Sequence, residues 1–182
     1  MGIMANPFYL DMGYSKTDIA NVAKVFGFFM TIAGSAICGV LVVKWGILRP
    51  LLIGAVAVAS TNLLFALLST LEPTLVGLAI VISADNISGG FAATAFIAYL
   101  SSMTNRAYTA TQYALFSSLM TLPGKFISGF SGMIVDGWGY LPFFVFASLI
   151  GLPAVALVLV LIRRDRGQQQ QLVRVASDKS PG

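Results

Sequence analysis

Apolar residues run along this chain in long blocks broken by short polar punctuation. Five blocks stand out, at roughly 18–43, 50–70, 74–102, 111–134 and 141–162. Each reaches the ~20 mostly apolar residues that a helix needs to cross a bilayer core. Between them lie KWGILRP (44–50), LEPT (71–74), NRAYTA (105–110) and DGWGY (136–140), all rich in turn formers. In lipid, every backbone polar group must be bonded within its own helix or within a closed barrel. The blocks are too long and too continuous for the alternating pattern of barrel strands. The pattern therefore predicts an all-α, polytopic transmembrane bundle of five spans.

Composition agrees. The chain is 57% hydrophobic and only 10% charged, against about 25% charged in a soluble domain. Its mean hydropathy is +0.86. The net charge of +4 comes from basic residues scattered singly, without the Lys/Arg stripe that nucleic acid requires. Cys38 is the only cysteine, and the sequence contains no histidine. Disulfides, thiolate metal sites and imidazole-based catalysis are thus unavailable, and neither an enzymatic role nor a cofactor is expected.

The basic residues set an orientation instead. Lys44 and Arg49, Arg106, and Arg163, Arg164 and Arg166 all fall on one side when five helices alternate. Asp11, Lys16, Asp18, Glu72 and Asp136 fall on the other. The positive-inside rule makes the basic side, with the C-terminus, cytoplasmic. Residues 1–17 read as the end of a preceding helix and an external loop, 18–162 as a five-helix body, and 163–182 as a disordered cytoplasmic tail.

Charges near the bilayer centre cost about 2.5–3.5 kcal/mol and mark functional candidates. Three fall inside spans: Lys24, Asp85 and Lys125. At 1.5 Å per residue, Asp85 and Lys125 lie roughly 16 and 14 Å below the external ends of consecutive antiparallel helices. They could pair, either as part of a pathway or as a structural lock between helices. Lys24, roughly 9 Å deep, could serve the cavity or snorkel to the interface. Asn86, beside Asp85, could be interhelical glue, and Gly89, Gly90, Ala92 and Ala93 suit close helix packing. Pro123-Gly124 predicts a kink just before Lys125.

GVLVVKWGILRP (39–50) resembles the loop signature of major facilitator superfamily carriers, Gly-x-x-x-Asp-Arg-x-Gly-x-x-Arg, with Val43 in place of the aspartate and Lys44 in place of the arginine. GMIVDGWGY (132–140) echoes it at the far end of the fourth span. A longer set is more specific. NPFYLDMGYSKTDIANVAKVFG, then DNISGGFAATAFIAYLSSMTNRAYTATQYALFSSL, then the Pro-Gly-Lys helix is similar to the C-terminal half of AmpG-type muropeptide permeases over about residues 7–162. That resemblance implies that the spans correspond to helices 8–12 of a twelve-helix carrier, completed by an N-terminal half in the same gene or a separate chain. It implies that the first, third and fourth spans surround a cavity while the second and fifth face lipid. It further implies import of anhydro-muropeptides across the bacterial inner membrane, coupled to protons, for peptidoglycan recycling and β-lactamase induction. Asp85 is then the expected proton acceptor. Lys125 and Lys24 are expected to hold substrate carboxylates or to balance Asp85, with Asn86 and Gln112 on the pathway. Two alternatives stand beside this: a carrier of another anion such as acetyl-CoA, disfavoured because no span contains Arg, and a membrane interaction subunit without transport.

Overall fold

The computed structural model describes residues 2–103 and 109–178, so Arg106 lies outside the described residues. Its elements are helices: α1 (Gly2–Asp11), α2 (Lys16–Trp45), α3 (Leu48–Leu68), α4 (Leu75–Met103), α5 (Thr109–Gly129), α6 (Ser131–Trp138) and α7 (Tyr140–Asp178). No strand occurs among the described residues. The first residues fix the starts. Ser15, in extended conformation, takes the Asp18 amide at 3.1 Å to cap α2, and Thr74 takes the Gly77 amide at 3.2 Å to cap α4. The α2–α3 reversal is only Gly46-Ile47; Gly46 has φ +77°, open to glycine but strained for other residues.

Among the described residues, four helices are long and apolar enough to cross a membrane: α2, α3, α4 and the Tyr140–Asp165 part of α7. The expected fourth span, 111–134, forms two shorter helices that break at Phe130. Pro123 does not interrupt α5, whose helix runs on to Gly129. The tail also differs from expectation. The α7 backbone stays helical to Asp178, because the four glutamines, Leu172 and Arg174 after Gly167 are good helix formers and no proline intervenes before 181.

The packing order across the bundle is α2, α4, α3, α7, with α4 wedged between α2 and α3, and α5 touching little of the rest. Close approach at the two α4 seams depends on missing side chains. A Cβ on Gly34 would collide with the Ile87 carbonyl, one on Gly90 with the Thr31 carbonyl, and one on Gly54 with Ala92. Gly89 faces open space.

Apolar contacts gather at two levels. At one end, Phe8 and Tyr9 of α1 pack with Phe65 of α3, Ile82 of α4 and Phe144 of α7. At the other, Cys38, Leu51, Phe91, Ala95 and Val158 join all four long helices. Between these levels lies a band of polar side chains.

Candidate functional site

The polar band is built on α4. Successive residues of a helix point about 100° apart, so Asp85 and Asn86 serve opposite neighbours. Asp85 faces α3, where the Thr61 hydroxyl lies 3.3 Å from its Oδ1. Asn86 faces α2: its Nδ2 donates to the Ile82 carbonyl at 2.7 Å, and its Oδ1 accepts from the Thr31 hydroxyl at 3.1 Å. The same amide packs against Gly27. One turn on, Ser35 donates to the Gly90 carbonyl at 3.2 Å, and across the α3–α7 seam Ser148 donates to the Ala59 carbonyl at 2.8 Å.

Two neighbours of Asp85, Thr61 and Tyr9, carry no charge at neutral pH, and nothing in the charge pattern announces them. Thr61 is buried on α3, a helix whose one charged residue, Arg49, sits in its first turn. Tyr9 of α1 lies within electrostatic reach of the Asp85 carboxyl. Asn62, next to Thr61, is 5% exposed, and its Oδ1 has no hydrogen-bond partner. An acceptor so placed costs about 1–3 kcal/mol, the kind of strain that active regions tolerate.

The cationic candidates lie elsewhere. Lys24 is exposed within a π-helical turn, Val22–Phe26, that widens α2; such turns are often found at functional positions. With Lys16, Asn6 and Leu10 it lines an open cleft of about 430 Å³ between α1 and α2. Lys125 and Gln112 lie on α5, Lys125 exposed and Gln112 half-buried. The geometry thus joins Asp85 to Thr61, Asn86 to Thr31, and Lys24 to Lys16.

A bundle of membrane-length helices with an acid and an amide at mid-depth suits a carrier, and comparison with known proteins decides the family. The model of the Major Facilitator Superfamily matches residues 1–180. This chain belongs to the Major Facilitator Superfamily. Its superfamily relatives include a Rickettsia felis protein bearing the transporter name AmpG 4, 33% identical over 164 residues, which make up 90% of this chain and 40% of that protein. A Rickettsia bellii protein named as transporter AmpG 1 is 34% identical over 92% of this chain and 41% of its own length. The Escherichia coli anhydromuropeptide permease is 28% identical over 82% of this chain and 30% of its own length. The chain therefore spans less than half the length of these curated relatives. The superfamily assignment agrees with the all-helical membrane fold expected from the pattern of apolar blocks.

Proposed function

We propose that this chain is the C-terminal portion of a proton-coupled permease importing anhydro-muropeptides across the bacterial inner membrane, for peptidoglycan recycling and β-lactamase induction. The C-terminus and the basic loops face the cytoplasm, and an N-terminal half completes the cavity. One observation carries the reading. Among the described residues, Asp85 is the only acidic residue within the apolar stretch of a membrane-length helix, and it sits in a polar band whose other members are neutral. Ionisable side chains at such depth in a carrier commonly serve proton relays or substrate pathways. The Escherichia coli relative, by its name a permease for anhydromuropeptides, supports the substrate class.

In this reading Asp85 takes up and releases the proton. Asn86 keeps α4 in register with α2, so that the carboxyl stays at one depth. Lys24, with Lys16 in the cleft beside α1, meets a carboxylate of the incoming peptide. Lys125 and Gln112 line the route on α5, and Lys125 balances Asp85 once its proton has left. The rocking of two halves about a midplane site supplies alternating access.

The test is uptake of labelled anhydro-muropeptide by the complete carrier in vesicles with an imposed pH gradient. Asp85→Asn should abolish gradient-driven uptake while leaving exchange of internal for external substrate partly intact. An unchanged pH dependence in that variant would overturn the assignment.

A further inference from the structure

Where α2 turns into α3, two adjoining cavities open against α7. One, about 330 Å³, is lined by the Lys44–Arg49 turn with Ile162 and Asp165. The second, about 420 Å³, shares Trp45, Arg49 and Ile162 with the first and adds Leu52, Ile53, Leu159 and Arg163. Each falls in the ~300–1,000 Å³ range of small-ligand sites. Polar turn residues dominate the first, and aliphatic side chains dominate the second. Lys44, Arg49 and Arg163 bring three positive charges to the pair, against the single carboxylate of Asp165.

The walls say what kind of molecule fits. Between Leu51 and Leu68, and between Leu141 and Ile162, α3 and α7 carry no charged residue, so the groove between their ends borders hydrocarbon. Trp45, half exposed at the turn, is the residue type that settles at the boundary between headgroups and acyl chains. Arginine forks recognise phosphate in two-point fashion. A free phosphate ion would satisfy the arginines and leave the aliphatic half without purpose; a neutral lipid would do the reverse.

We infer that the two cavities together hold one anionic phospholipid. Its phosphate lies against Arg49, Arg163 and Lys44, and an acyl chain runs along Leu52, Ile53 and Leu159. The lipid joins the α2–α3 turn to α7 at the edge of the bundle, in the leaflet on the side of the basic loops. The inference is independent of substrate and of proton coupling.

The test uses Trp45 as its own reporter. The chain has two tryptophans, so Trp138→Phe leaves Trp45 alone. That variant is reconstituted in phosphatidylcholine vesicles in which phosphatidylglycerol with brominated chains replaces part of the lipid. Quenching should show phosphatidylglycerol enriched at Trp45 several-fold over brominated phosphatidylcholine. A basic residue near an anionic membrane is worth about 1 kcal/mol, or roughly fivefold in affinity. Arg163→Gln should therefore lose roughly fivefold in preference, and Arg49→Gln with Arg163→Gln should bring it to parity. Arg49→Lys with Arg163→Lys should retain most of the preference. Arg164→Gln, on a residue lining neither cavity, should change nothing. Equal quenching by the two lipids in the parent would overturn the inference. So would a loss in Arg164→Gln equal to that in Arg163→Gln, which would mean a general surface charge. Displacement of the lipid by millimolar inorganic phosphate would replace the lipid site with a simple anion site.

Discussion

The Thr61 hydroxyl has one hydrogen and two claimants. The Val58 carbonyl lies 3.0 Å from it and the Asp85 carboxyl 3.3 Å. With its hydrogen on Val58, the oxygen still offers lone pairs to a protonated Asp85, which can donate. A carboxylate cannot donate, so after deprotonation the hydroxyl must turn toward Asp85 and abandon the carbonyl. Thr61 thus registers the state of Asp85. Thr61→Val should lower gradient-driven uptake by the complete carrier roughly tenfold, in line with about 1–3 kcal/mol for a buried group deprived of its partner. Thr61→Ser should behave as the parent. Asn62 provides a contrast: Asn62→Leu removes an unpartnered acceptor and should leave the melting temperature unchanged or raise it. Asn86→Leu, which breaks the link to Thr31, should cost roughly 0.6–2 kcal/mol. Asp85 and Asn86 were legible in the sequence because polar groups stand out in an apolar block. Thr61 was not, since a threonine in a helix can satisfy itself on its own preceding turn. Only packing reveals that this one also reaches across to α4.

At the scale of the element, the α2–α4 seam rests on absent methyl groups. Gly90→Ala puts a Cβ into the Thr31 carbonyl and should destabilise the detergent-solubilised chain by about 1–3 kcal/mol. Gly89→Ala, one residue earlier and facing open space, should be neutral or gain roughly 0.5–1 kcal/mol from reduced backbone freedom. Thermal melting followed by circular dichroism distinguishes the two. The sequence showed that small residues cluster after Asn86, but not which of them meets a neighbour. That depends on the rotation of α4, and residues 100° apart look alike in a list. Hydropathy located α2, α3, α4 and α7 well. It joined α5 to α6 because the break at Phe130 follows from local backbone geometry (φ −91°, ψ −5°) rather than from polarity. It ended α7 too early because a polar composition does not stop a helix, and glutamine is a good helix former.

For the whole molecule, the arrangement of charge predicts an orientation that labelling can read. In a Cys38→Ala background, a cysteine replacing Glu72 should react in intact cells with a membrane-impermeant maleimide. One replacing Gly167 should react only after the inner membrane is opened. The reverse pattern would invert the proposed topology. The architecture was readable because lipid leaves the backbone few choices, and the family because residues 85–115 carry a specific order of side chains. The depth-wise layering of the bundle was not readable. Two apolar clusters enclosing a polar band is a property of four helices in register, and no single block contains it.

The position of α4 between its neighbours has a mechanical side. Asp85 ties one flank of this helix to α3 and Asn86 ties the other to α2, from adjacent positions on one turn. Neither tie can be altered by rotating α4 without the other being altered too, because both are anchored on one turn of a single rigid helix. The two seams are therefore mechanically linked through α4, and a disturbance at one is felt at the other.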